Sequence, residues 1–262
     1  MIKSMGKTKI IDVHTFIGTK GFSAYHVSST SRTLLNSMNA SGISQAVAIT
    51  SSGRNEFVRK IVEKFSDKLL FAMWYLPDNS YFKYLRRHVK EIKMVKFHPS
   101  HAKMRFDNPV MLPMIKYCED NNIPILVHCG RWLEMSSSTI PILVAENFKA
   151  NILLAHMGGV TEDLVIKTAN MLGEKRMGNV FLVTSGISVN SRVSEARIVQ
   201  CPSKLIDYVA SKVGYRKILF GTDYPFGKQT DMIESINNAR LSLSDREAIF
   251  HLNAEKILSL GV

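Results

Sequence analysis

Five residues able to bind a metal or move a proton stand at the ends of short apolar runs. His14 closes Ile-Ile-Asp-Val-His, His128 closes Ile-Leu-Val-His, and His156 closes Ile-Leu-Leu-Ala-His. Asp223 closes Ile-Leu-Phe-Gly-Thr-Asp, and His98 ends Met94-Val95-Lys96-Phe97-His98. A divalent ion needs imidazole and carboxylate donors arriving from several elements, with one position left open for water. Water bound there is acidified toward neutral pH and becomes a nucleophile, while a nearby His or Asp moves its proton. A single histidine at a strand end is commonly a hydrogen-bonded rim residue. Five such groups in chain order form a constellation that points to a metal site, present or ancestral. One piece is missing. The first run continues His14-Thr15-Phe16, where a His-x-His pair is expected, and Phe16 cannot bind a metal.

The runs that position these groups alternate with amphipathic segments. Strands are predicted at residues 9–14, 45–50, 69–75, 94–98, 123–128, 151–156, 179–184 and 217–223. They are apolar at nearly every position, as strands are when both faces are buried in a parallel sheet. Phe57, Val58, Ile61, Val62 and Phe65 share one helix face. Leu205, Ile206, Val209 and Val213 share another, with Gly214 placed as its stop. Gly42 ends the helix that carries Leu34, Leu35 and Met38. A capping box at Ser244-Asp245-Arg246-Glu247 opens the last helix, whose face runs through Ile249, Leu252, Lys256 and Leu260, with Ile257 alongside.

Eight strand–helix repeats in 262 residues fit an α/β fold, a closed (β/α)8 TIM barrel forming a single domain over residues 1–262. An open doubly wound sheet is the alternative, but no Gly-x-Gly-x-x-Gly follows the first strand. The segment from Gly221 to Gly227-Lys228 has glycine spacing one residue too long for a phosphate loop, and Gln229 stands where Ser or Thr would bind magnesium. In a barrel the site lies at the C-terminal strand ends, where all five groups fall. Residues 186–202, weak in periodic signals, follow the seventh strand, where lids and active-site loops belong.

Composition narrows the function classes. Hydrophobic residues make up 45%, and no apolar stretch reaches the length of a membrane span. The first residues run into a strand without a signal-peptide pattern, so a soluble, cytoplasmic protein is expected. Cys118, Cys129 and Cys201 are too few and scattered for a disulfide framework or a zinc knuckle. Cys129 follows His128 directly, and adjacent strand residues point to opposite faces, so only one of the two can enter the barrel. The net charge of +12 suits an anionic substrate or nucleic acid. The basic residues are dispersed rather than gathered in a tail, which favours a solvated basic surface.

Several segments taken together resemble the amidohydrolase superfamily. They are Asp12-Val13-His14-Thr15-Phe16-Ile17-Gly18, Val95-Lys96-Phe97-His98-Pro99, Val127-His128-Cys129-Gly130, Leu154-Ala155-His156-Met157-Gly158-Gly159, Gly221-Thr222-Asp223-Tyr224-Pro225 and the closing Asn253-Ala254 helix. The chain is most similar to the amidohydrolase-2 branch, which includes aminocarboxymuconate-semialdehyde-type decarboxylases and metal-dependent hydrolases. The resemblance implies His14, His128 and Asp223 as metal ligands. It implies His156 and Asp223 as the groups that polarise substrate or transfer protons. Lys96 and His98, two residues apart on one side of the fourth strand, could meet a substrate carboxylate or orient the metal site; an equal reading of Lys96 is a buried lysine paired with a barrel carboxylate. The implied cofactor is one divalent metal, zinc first, with iron or manganese also suited to two His and one carboxylate. Phe16 leaves a three-ligand site or a vacant one, with His98 as a substitute ligand.

The leading expectation is a metal-dependent hydrolase acting on a small, anionic organic substrate through metal-activated water. The alternatives are a non-oxidative decarboxylase of the same family, a ligand-binding barrel that has lost catalysis at Phe16, and a TatD-type nuclease. Against the nuclease, that family places a glutamate in its fourth-strand region, where this chain has Val95-Lys96-Phe97-His98; nucleic acid and membrane are therefore not expected partners, and a homo-oligomer is compatible with the sequence. Arg131 suits a substrate carboxylate and Trp132 a planar ring, with Tyr25, His26 and Tyr224 as further pocket candidates, each of which also fits simple rim packing.

Overall fold

The computed structural model describes residues 8–18, 28–50, 53–130, 132–188, 198–199 and 201–260. Its strands are β1 (Ile11–Ile17), β2 (Gln45–Thr50), β3 (Leu69–Tyr75), β4 (Ile92–Phe97), β5 (Ile125–Val127), β6 (Ile152–Leu154), β7 (Val180–Val183), β8 (Ile187–Ser188), β9 (Ile198–Val199) and β10 (Ile218–Leu219). Eight of them form one parallel sheet in the order β1-β2-β3-β4-β5-β6-β7-β10, while β8 and β9 pair antiparallel within the segment expected to be a lid. The connecting helices are α1 (Ser31–Ser41), α2 (Asn55–Lys64), α3 (Asn79–Arg87), α4 (Pro99–Ala102), α5 (Leu112–Asp120), α6 (Leu133–Ser136), α7 (Thr139–Ala145), α8 (Glu162–Lys175), α9 (Ser203–Val213), α10 (Gln229–Asn238), α11 (Leu243–Glu247) and α12 (Asn253–Ile257).

The sheet closes on itself. The chain after β10 donates and accepts along β1: Val13 N donates to Phe220 O at 3.0 Å, Asp223 N to His14 O at 2.8 Å, and Phe16 N to Tyr224 O at 2.8 Å. A buried carboxylate locks this seam. Asp12 Oδ1 accepts from the backbone N–H of His14 and of Thr222, each at 3.1 Å. Its Oδ2 accepts from Thr222 Oγ1 at 2.6 Å and from Gln229 Nε2 at 3.1 Å, tying the first strand to the last strand and to α10.

Strand alternation separates two apolar layers. Val47, Ile49, Leu70, Ala72, Trp74, Met94, Leu126, Leu153, Phe181, Val183 and Leu219 fill the barrel. Their strand neighbours Ala46, Ala48, Phe71, Met73, Val95, Ile125, Ile152, Leu182 and Ile218 meet the helices. Burial on both faces explains why these strands read as continuous apolar runs.

The helix stops at Gly42 (φ 73°) and Gly214 (φ 81°) fall where the sequence predicts them. Two helix details differ. The final capping box is Ser242 with Asp245, two residues before the expected start. A π-turn over residues 248–252 then rotates the face that follows, so Leu252 is exposed while Ile249, Phe250, Ala254 and Ile257 are buried. On α2, Phe57 is 44% exposed instead of core-facing, and the Arg54 guanidinium lies 5.1 Å from its ring centroid. Among the described residues no helix is long and apolar enough to cross a membrane.

Candidate active site

Strand alternation aims Lys96, His98 and His128, which follow inward-facing Met94 and Leu126 by even steps, whereas local irregularities aim His14, His156 and Asp223. In β1, Ile11 and Val13 point into the barrel. Regular alternation would then send both His14 and Phe16 outward. The register instead slips between Asp12 and Thr15, a β-bulge. Beyond it Phe16 lies inside the barrel, and the His14 ring stands 5.3 Å from the Phe16 ring and 5.8 Å from that of His156. After β6, Ala155 faces inward, and His156 and Met157 both adopt left-handed backbone, φ 57° and 49°. The turn swings His156 into the mouth as well. Asp223, at φ 62°, is turned in the same way after β10. Left-handed non-glycine residues cost about 1–2 kcal/mol each, and such strain persists where the surrounding structure over-determines it, commonly at functional sites.

The groups form two neighbouring sets. In the first, His14 Nε2 lies 3.2 Å from Asp223 Oδ1. The alignment does not make a hydrogen bond, so both ring nitrogens of His14 are buried without a hydrogen-bond partner. The contact is not an ion pair either, because burial and the nearby Lys96 cation hold His14 well below the usual imidazole range. In the second set, His156 Nδ1 lies 2.8 Å from Gly186 O, which can only accept. That assigns the proton to Nδ1 and leaves His156 Nε2 to accept from His128 Nδ1 at 3.2 Å. His128 stacks on His98, with centroids 3.8 Å apart and planes at 10°, and His98 stacks in turn on Trp74 at 5.8 Å. The His128 ring lies over Gly130, where a Cβ would come within 2.7 Å of Nε2.

Lys96 is felt electrostatically by both sets. It is 1% exposed, and its Nζ is buried without a hydrogen-bond partner. Its charge helps depress His14, His98, His128 and His156, burial being the larger cause for each; His156 falls to about 4. Burial also pushes Lys96 down from the ordinary lysine range, partly opposed by Asp223, and pushes Asp223 up, partly opposed by Lys96. Burial thus favours the neutral form of the imidazoles and of the amine, and raises the carboxyl of Asp223.

His14, Lys96, His98, His128, His156 and Asp223 gather at one mouth, and Lys96 and His98 share a side. Cys129 is buried in the outer layer, opposite His128. Trp132 is 71% exposed. Arg131, Tyr25 and His26 lie outside the described residues. Sequence reasoning passed over Trp74, which alternates inward after Leu70 and Ala72, and Phe226; the Phe16 ring meets both edge-on at 6.5 and 6.4 Å. Asp12 also went without a role, although it stands in the first motif.

The donors fit a metal only in part. Two ligands each about 2.1 Å from one ion lie roughly 3.0–3.4 Å apart, and His14 Nε2 and Asp223 Oδ1 match that spacing. The third expected ligand does not join them, since His128 directs Nδ1 to His156 and holds Nε2 over Gly130. Phe16, two residues after His14, brings an apolar ring with no donor beside it. Among the described residues, no group of three or more His, Cys, Asp and Glu side chains converges as a metal cage.

A family model described as amidohydrolase matches residues 20–260. The chain belongs to the amidohydrolase family. Solved structures agree in fold across nearly the whole barrel. A 2,6-dihydroxybenzoate decarboxylase from Rhizobium is 16% identical, with 97% of this chain and 99% of that one covered at a TM-score of 0.70. A dihydroxybenzoic acid decarboxylase from a Polaromonas species, with bound manganese and the inhibitor 2-nitroresorcinol, is also 16% identical, with 97% of each chain covered at 0.73. A 5-carboxyvanillate decarboxylase from Sphingomonas paucimobilis is 12% identical, with 97% and 100% covered at 0.73. No curated protein matches.

Proposed function

We propose that this amidohydrolase-family barrel is a non-oxidative decarboxylase of a small anionic acid. The observation that carries this reading is Lys96, a buried amine with no hydrogen-bond partner amid neutral imidazoles. Its Nζ makes no hydrogen bond, and a substrate carboxylate would supply a charge-assisted one, with His98 beside it on the same side of β4. Loss of CO2 leaves an electron pair on carbon that must take up a proton. In the metal-free barrel burial raises Asp223 to about 7, which suits it to deliver that proton; as a metal ligand it would act as the ionised carboxylate instead. The Gly186 O, His156, His128 chain fixes two rings in one tautomer and orients them around the substrate. Phe16, Trp74 and Phe226 wall the mouth with apolar rings that exclude competing water. Arg131 is retained as a substrate contact on its chemistry alone.

A divalent metal, manganese as in the Polaromonas relative or zinc, would be held by His14 and Asp223 and would supply Lewis-acid polarisation of a substrate oxygen. His128 would complete the set only by giving up its bond to His156. The related decarboxylases support decarboxylation over the hydrolysis expected from sequence. One observation favours hydrolysis as a second reading: burial pushes His14 well below the usual imidazole range, toward the neutral form whose unprotonated nitrogen can act as a base for water.

The test is CO2 release from 2,6-dihydroxybenzoate and 5-carboxyvanillate, with and without added Mn2+. At least one acid should be turned over, and Asp223→Asn and His156→Gln should each lower kcat roughly 100-fold or more, the scale of acid–base catalysis. Hydrolysis of lactones or amides with no CO2 from any acid would replace this reading with the second one.

A further inference from the structure

Phe57 shares the apolar face of α2 in the sequence pattern, yet it is 44% exposed and lines a cleft of about 500 Å3 between the first turns of α2 and α3. None of the side chains gathered at the barrel mouth lines this cleft. We propose that it is a second binding site and that its ligand is a small aromatic monocarboxylate. Such a site exists whether or not the barrel is a decarboxylase.

Size and walls select a planar ring. Clefts of this volume take small organic molecules and are lined by apolar and aromatic groups with a few polar ones. Here Phe57, Tyr81 and Tyr84 supply the rings, which receive another ring by offset stacking or edge-on. Two parts of the lining are fixed in advance. The Asn55 side chain donates to Trp74 O and accepts from Trp74 N, both at 2.8 Å. Tyr81 packs edge-on against Tyr75, with centroids 6.4 Å apart. A cleft already shaped costs less to order around its ligand.

Charge selects a single carboxylate. Arg54 is exposed, its guanidinium 5.1 Å from the Phe57 ring centroid, and among the described residues it pairs with no carboxylate. The two acids nearby are engaged elsewhere. Glu56 accepts from Arg59 Nε and Nη2, each at 2.9 Å, and from Tyr84 Oη at 3.1 Å. Asp78 caps α3 by accepting from Ser80 N at 2.7 Å and from Tyr81 N at 3.2 Å. One cation is left to match one negative charge, where a polyphosphate would ask for several. The Tyr81 hydroxyl adds a neutral donor. It makes no hydrogen bond among the described residues, and a Cβ added to Gly53, the neighbour of Arg54, would come within 2.6 Å of it. A carboxylate there gains a charge-assisted hydrogen bond from Arg54 and a second bond from Tyr81, while its ring lies against the aromatic walls.

The test is isothermal titration calorimetry of the full chain with 2-naphthoate and with its neutral isostere 2-naphthamide, repeated on Arg54→Gln and Phe57→Ala. Both substituted side chains are exposed, so Tm should not move. Wild type should show one naphthoate binding event that naphthamide does not share. Arg54→Gln should weaken that event roughly tenfold or more, the scale of a hydrogen bond to a charged group. Phe57→Ala should weaken it roughly threefold or more through the lost ring contact. Superimposable isotherms for wild type and Arg54→Gln overturn the proposal, whether both are blank or both report an acid bound in the mouth. Equal affinity for acid and amide overturns it as well. Neither result touches the decarboxylase reading, which CO2 release decides.

Discussion

Phe16 governs the site at the scale of single residues. The residue two positions after His14 is an apolar ring packed edge-on against Trp74 and Phe226, where a second imidazole would have faced the same space. His14 and Asp223 are thus a two-donor pair. Phe16→His should restore a third donor and raise Mn2+ or Zn2+ affinity roughly tenfold or more, the scale on which even outer hydrogen-bond partners of metal ligands act. Isothermal titration calorimetry on both proteins measures this. Equal affinities would mean that position 16 does not face the ion. The sequence made the identity of Phe16 legible, but not what its ring touches, because its partners come from β3 and from the turn after β10.

Among the elements, the aim of His14, His156 and Asp223 depends on a break in regularity. The β1 bulge and the left-handed residues His156 and Asp223 turn side chains that simple alternation would misplace. Close packing then holds them. Gly221 is the glycine packed against His14: an added Cβ would come within 2.4 Å of Val183 Cγ1 and 3.1 Å of His14 Cβ. Gly221→Ala should therefore cost about 1–3 kcal/mol by overpacking and lower activity beyond what its stability loss explains, since His14 must shift. Urea unfolding and kcat measured on the same samples test both halves; an unchanged kcat would show that His14 tolerates the displacement. Strand existence was readable from apolar runs. The bulge and turns were not, because they answer to neighbouring strands distant in sequence.

For the whole molecule, burying several imidazoles in one mouth makes stability depend on pH. His156 has a folded value near 4, below its ordinary 6.5. A group depressed in this way contributes stability fully above 6.5 and loses it as the pH falls toward 4, about 3 kcal/mol for a group so buried. His14, His98 and His128 shift in the same direction. Asp12, raised to about 6, opposes them: its contribution is present below 3.8 and is lost as the pH rises through 6. Four imidazoles outweigh Asp12 and Asp223, so Tm should fall steadily from pH 7 to pH 5. Thermal scans across that window decide the matter, and a Tm that rises on acidification would show that the imidazoles are not held neutral.

Residue order alone determined the barrel, the end of it where the polar groups gather, and which groups those are. Local periodicity encodes whether a segment is strand or helix, and a strand end in a closed parallel sheet faces the mouth wherever it occurs. Only the tertiary structure decided which groups meet: His14 with Asp223, His128 with His156 and His98, and Lys96 alone among them. Those pairings depend on a bulge, on left-handed turns and on which side chains exclude water. Each is settled by contacts between strands far apart in the chain, and no local pattern records them.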